Sequence, residues 1–215
     1  MKSLPQEPDR PEPDPSGFTR RSFLKGVGAG ALAAGALGAP RVSAKGAPQE
    51  RKAGALLGPD PVPVLLELNG KKVALPLEPR VTLIDALRNH LDLTGAKKVC
   101  DRATCGACTV LLDGKAVYSC TLLAIEVQGR KIETVEGLAE ANGGLAKMQR
   151  CFVENDAQQC GFCTPGFVMA CESFRRAHPQ AARAEVVEGL GGNLCRCGTY
   201  HGVTQAVLDA IAGGK

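Results

Sequence analysis

The stretch "CDRATCGAC", Cys100 to Cys108, puts three cysteines into one short loop, with Gly106 between two of them. A fourth, Cys120, follows in "CTVLLDGKAVYSC", so the group reads C-x4-C-x2-C-x11-C. Asp113-Gly114 is a strong signal for a tight hairpin turn. Folding the chain about that turn brings Cys120 back beside Cys108 and closes the site. A second group, Cys160, Cys163, Cys195 and Cys197, lies in "CGFC" and "CRC". The interval between its halves holds a helix out, a turn at His178-Pro179 and a helix back.

Four cysteines at one point allow zinc, an iron–sulfur cluster or two disulfides. Disulfides explain the spacings poorly: a bridge within C-x-C is strained, and C-x2-C suits redox exchange better than framework support. Zinc is the stronger competitor. The C-x4-C-x2-C loop, however, has the plant-type spacing of [2Fe–2S] centres. A closed all-thiolate site offers no open coordination position, so its natural work is moving single electrons. Lys97, Lys98, Arg102 and Arg196 lie close enough in sequence to offset a cluster's negative charge. Cys151 and Cys171 belong to neither group and read as small core residues.

Outward from the first loop, two apolar runs flank Asn69-Gly70 in "VPVLLELNGKKVALPL", a second hairpin signal. "TLIDALRNHL" spaces Leu83, Ile84, Leu87 and Leu91 as on a helix, with Thr82 as its N-cap and Asp85 in its first turn. "LLAIEVQGRKIETVEG" reads as two more strands. Residues 62–138 thus predict a small mixed sheet with one helix. Residues 139–213 predict four short helices in "GGLAKMQRCFVEN", "TPGFVMACESFRRA", "AARAEVVEGL" and "HGVTQAVLDAIAG". Pro165 and Gly166 suit the start of the second, and Gly189 or Gly191 the end of the third. The fold class is α+β.

The formal charge of +4 is split evenly: 1–44 and the rest each carry +2. Basic runs mixed with aromatics are absent, which leaves a nucleic-acid surface without support. His90, His178 and His201 are too scattered for a catalytic metal site and read as satisfied or solvent-facing. "GVGAG" lacks a preceding strand and is discounted as a dinucleotide fingerprint. Residues 1–18 hold five prolines and four acids without periodicity, which predicts disorder. "TRRSFLKG", Thr19 to Gly26, precedes an apolar run too glycine-rich for a membrane span, then "RVSA" ending at Ala44. This resembles a bacterial twin-arginine export signal spanning 1–44, followed by a linker over 45–61. That route carries folded proteins, which fits clusters that need reducing conditions for assembly. The expected location is the periplasm.

"TGAKKVCDRATCGACTVLLDG", "QQCGFCTPG" and "NLCRCGTYHG" resemble the iron–sulfur subunits of molybdenum hydroxylases, the xanthine dehydrogenase and aldehyde oxidoreductase family. The resemblance covers about residues 62–213. It implies a β-grasp, plant-type ferredoxin-like domain followed by a four-helix [2Fe–2S]-binding domain, with two [2Fe–2S] clusters on the eight cysteines. It implies a separate large subunit carrying the molybdopterin cofactor, which Gln159 would hydrogen-bond and to which Cys163 would sit closest. Substrate, an aldehyde or N-heterocycle, would be oxidised there, and electrons would leave for an FAD subunit or c-type cytochrome. Val99 and Ala103 stand where the family usually has glycine. If either backbone position required positive φ, a side chain there would be unfavourable. A free-standing ferredoxin and a zinc- or disulfide-stapled extracellular binding module are the competing readings.

Overall fold

The computed structural model describes residues 58–140 and 142–213. The arginine pair, the leader and the linker as far as residue 57 lie outside the described residues.

Strands β1 (Val62–Leu68) and β2 (Lys71–Leu77) form the first hairpin. Asn69 and Gly70 both take positive φ, 49° and 76°, as a two-residue turn with the right twist demands. β3 (Thr109–Leu112) and β4 (Lys115–Tyr118) form the second, again through two positive-φ residues, Asp113 and Gly114. β5 (Lys131–Glu133) runs parallel to β1 and antiparallel to β3, giving the order β2-β1-β5-β3-β4. Helix α1 (Leu83–Asp85) widens into a π-helical stretch over Ala86–His90 and buries Leu83, Ile84 and Leu87. Thr82 caps it, its hydroxyl oxygen accepting from the Asp85 N–H. The apolar face of the sheet and this helix share one core.

One expected strand is missing. In "LLAIEV" the chain forms a 3-10 turn over Ala124–Val127. Its buried residues, Ala124 and Val127, are three apart, the period of that turn and not of a strand. The Glu126 carboxylate accepts from the Leu123 N–H and locks the turn's start.

The second half contributes α2 (Lys147–Glu154), α3 (Thr164–Ala177), α4 (Arg183–Gly189) and α5 (Tyr200–Ala212) around their own core. Pro165 sits in the first turn of α3, where its missing N–H costs nothing. Cys151 and Cys171 are both buried in this core, and burial pushes both thiols up.

The halves are joined along α3. Ser173 lies against the outer edge of β4: its hydroxyl donates to the Gly114 carbonyl and accepts from the Ala116 N–H, each at 3.1 Å. Glu172 is buried and takes three guanidinium hydrogen bonds from Arg175 and Arg176. Burial alone would raise its carboxyl, but the two arginines hold it below the usual carboxylate range. Arg176 reaches on to Glu133 of β5, so one chain of charges links helix and sheet. Near its N-terminus α3 approaches the first cysteine loop so closely that a Cβ on Gly166 would stand 2.4 Å from the Gly106 carbonyl oxygen.

Candidate metal centres

The loop from Cys100 to Cys108 turns by left-handed residues: Asp101 at φ 54°, Ala103 at 53° and Gly106 at 70°. Such residues swing successive N–H groups to one side and create a concavity for negative charge. Here Ala103 donates to the Cys120 sulfur and Thr104 to the Cys100 sulfur, each at 3.4 Å. The β3–β4 hairpin returns Cys120 to Cys108, as its turn requires, and Ser119 fastens the return with N–H and hydroxyl bonds to the Cys108 carbonyl.

The thiols stand in pairs. Cys100 faces Cys105, and Cys108 faces Cys120, with Cys105 near enough to influence Cys108. Backbone N–H groups of Arg102 and Thr104 lower the Cys100 thiol to about 6. Burial, aided by the neighbouring Cys120, pushes Cys108 up to about 11.

The second group repeats the arrangement. Cys160 faces Cys197, and Cys163 faces Cys195. Cys163 precedes α3 directly, and Cys195 and Cys197 lie just before α5, so two helix starts converge. The Phe162 N–H, then Cys197, lowers Cys160, whereas burial pushes Cys163 up to about 12. Cys195 is raised by burial, but hydrogen bonds from Thr199 outweigh this and bring it to about 7.

All ten cysteines are unbridged. Among the described residues no group of three or more His, Cys, Asp or Glu is set to hold a single metal ion. Four unbridged thiols at each centre, three of the first group's in the plant-type C-x4-C-x2-C spacing, fit a [2Fe–2S] group, which Cys100, Cys105, Cys108 and Cys120, and Cys160, Cys163, Cys195 and Cys197, would hold.

The two centres are laced together. Leu194, the residue before Cys195, donates its N–H to the Cys105 carbonyl at 2.9 Å. Asn193 is buried and donates to the Gly106 carbonyl at 2.9 Å, and the Tyr118 hydroxyl donates to the Gly192 carbonyl at 2.8 Å. This strap joins residues nearly ninety positions apart, beyond the reach of local sequence patterns.

Other expected residues fall into place or out of it. Lys98 is held by Asp85 and Asp101, and Lys97 bonds the Thr94 carbonyl. Arg102 reaches the first group, through the Cys100 carbonyl. His90, His178 and His201 are exposed, with His178 resting on the Phe174 ring. Gln159 is exposed beside Cys160. Cys160 and Cys197 are exposed and Cys163 is half-buried.

Val99 is exposed and takes no positive φ; Ala103 does. A left-handed residue with a Cβ costs about 1–2 kcal/mol, partly offset by glycine's greater freedom in the unfolded chain. Ala103→Gly is therefore expected to stabilise the first centre by about 0.5–1 kcal/mol, seen as a rise in thermal midpoint followed by visible absorbance. A fall would show that the alanine methyl has a packing role.

Residues 66–133 match the family described as "2Fe-2S iron-sulfur cluster binding domain", and residues 134–208 that described as "[2Fe-2S] binding domain". The chain is 46% identical to the nicotine 6-hydroxylase small subunit of Paenarthrobacter nicotinovorans, over 70% of this chain and 90% of that protein. It is 36% identical to the aldehyde oxidoreductase iron-sulfur-binding subunit PaoA of Escherichia coli O157:H7, over 93% and 90%. The chain belongs to the iron–sulfur small subunits of the molybdenum hydroxylases. Quinoline 2-oxidoreductase from Pseudomonas putida 86 has the same fold: TM-score 0.68 and 41% identity, covering 71% of this chain and 94% of that one. The α+β reading stands, with a ferredoxin-like domain followed by a [2Fe–2S]-binding helical domain. As a member of this family the chain is an electron-transfer subunit of a multi-subunit oxidoreductase, not its catalytic subunit.

Proposed function

We propose that this chain carries electrons singly from a molybdopterin centre in a large partner subunit to an FAD subunit or c-type cytochrome. Cys160, Cys163, Cys195 and Cys197 would hold the entry cluster, and Cys100, Cys105, Cys108 and Cys120 the exit cluster. The observation that carries this reading is two sets of four unbridged cysteines brought together by the Leu194-to-Cys105 hydrogen bond. A [2Fe–2S] group, when bound, accepts and releases one electron at a time. The chain's own part is to fix the two donor sets at one separation, supply N–H groups to their sulfurs and leave one edge of each open to a neighbour.

The entry side is where the large subunit would dock. Phe162, Leu194 and Tyr200 are 54%, 50% and 45% exposed beside the outward pair Cys160 and Cys197. Apolar side chains of that size clustered in water favour burial against a partner. Gln159, in the same exposed loop, has an amide that donates and accepts together, as a pterin edge requires. The substrate class is an aldehyde or N-heterocycle, bound on the partner.

Export through the twin-arginine route to the periplasm is part of the proposal. Its support is the Arg20-Arg21 motif, the apolar run after it and the small-residue site ending at Ala44. Among the described residues no helix is long and apolar enough to cross a membrane.

The reduced complex is expected to give two distinct rhombic [2Fe–2S] paramagnetic resonance signals, with iron and acid-labile sulfide in equal amounts. Tightly bound zinc with almost no iron would overturn the assignment.

A further inference from the structure

The start of α5 is unusual in how it spends a hydroxyl. Thr199 occupies the N-cap position, yet its side chain makes no capping hydrogen bond. A threonine there normally accepts from an N–H of the first turn. Instead its Oγ1 lies 3.2 Å from the Cys195 sulfur. Either atom can donate when the cysteine is a free thiol. A cysteine that ligates iron is a thiolate with no proton, which leaves Thr199 as the donor.

The surroundings hold this contact in place. The Tyr200 hydroxyl accepts from the Cys195 N–H at 2.9 Å, and its ring meets Phe167 edge-on at 6.1 Å. Leu194, next door, is tied to the Cys105 carbonyl. The backbone around Cys195 is thus pinned from both sides, and its sulfur stays within reach of Thr199. Backbone N–H groups reach sulfurs at both centres: Ala103 and Thr104 at the first, Phe162 and Thr199 at the second. Among the described residues, Thr199 supplies the one side-chain hydroxyl that meets a sulfur of either group.

We propose that Thr199 is a positioning residue that sets the reduction potential of the second centre by donating a hydrogen bond to the Cys195 sulfur. Reduction adds negative charge to the thiolate-bound group, and a donor aimed at the sulfur stabilises that charge more than the oxidised form's. The centre facing the large subunit becomes the better electron acceptor, the hydroxyl adding to what the backbone N–H groups supply. This rests on the proposal that Cys195 ligates a cluster.

The test is a redox titration, followed by paramagnetic resonance, of the chain purified with its clusters and accompanying subunits. Thr199→Val keeps the shape and deletes the donor. It is expected to lower the potential of one signal so that the electron's distribution between the clusters moves about tenfold, or ~59 mV for a one-electron couple. The other signal stays put. Thr199→Ser, which keeps the hydroxyl, is expected to restore the wild-type value. Should the valine variant assemble poorly, Thr199→Ala, smaller in every direction, gives the same reading. An unchanged potential in the donor-less variant overturns the proposal, as does an equal shift of both signals or the same shift in the serine variant. Failure to find two [2Fe–2S] signals in the unaltered complex would overturn the cluster assignment itself.

Discussion

Cys108→Ser is expected to remove one of the two paramagnetic signals completely and to halve the bound iron. Cys108 is 2% exposed and sits in the core of the sheet half. Burial pushes its free thiol up to about 11, so the thiolate form is costly there without a cation to meet it. A serine oxygen at this position is a harder, shorter donor that matches neither the charge nor the reach of the sulfur. Because metal binding is coupled to folding, the sheet half should also unfold at a lower temperature. The second signal should persist, since its four thiols belong to the helical half. Cys171→Ser is the control: Cys171 is equally buried but in neither group, so both signals should remain. Retention of both signals in the Cys108 variant would remove Cys108 from the ligand set.

Gly166→Ala is expected to destabilise the described region by about 1–3 kcal/mol or more, the usual cost of overfilling a closed contact. The new methyl would meet the Gly106 carbonyl oxygen at 2.4 Å and the Ala107 backbone at about 3 Å. These are backbone atoms of the first cysteine loop and cannot rotate away as a side-chain tip does. Helix α3 must retreat, carrying Cys163 with it, and the strap from Leu194 to Cys105 is strained from the opposite side. Thermal unfolding should fall by several degrees, and the magnetic coupling between the clusters should weaken in the doubly reduced state. A variant as stable as the parent, with unaltered coupling, would show that the interface yields more easily than its atomic contacts imply.

The local features were open to reading because they are written in neighbouring residues. Asn69-Gly70 and Asp113-Gly114 specify hairpin turns through left-handed backbone, and both form. Thr82 caps its helix because its hydroxyl lies within reach of the Asp85 N–H. The first loop's C-x4-C-x2-C spacing was readable in the same way. The misreading at Ala124–Val127 came from a short apolar run whose period of three is indistinguishable from strand texture over so few residues. What joins the halves was invisible: Asn193 to Gly106 and Ser173 to Gly114 depend on distant segments meeting, and no local propensity encodes them. The exposure of Cys160 and Cys197 beside a half-buried Cys163 likewise follows from helix packing. Ala103 was suspect from its position; only the backbone revealed that it, and not Val99, adopts the left-handed turn.

The serine at the margin of β4 has a consequence for the chain's life before assembly. An unpaired sheet margin is a template on which other molecules can add strands and aggregate. Ser173 occupies that margin on one side of the sheet. On the other, β2 presents Pro76, which has no N–H to offer, and the lysines Lys71 and Lys72. Within the sheet, where β5 is too short to cover β1, the Gln128 amide oxygen takes the Leu65 N–H instead. Both margins of the sheet half are thereby closed to strands from other molecules.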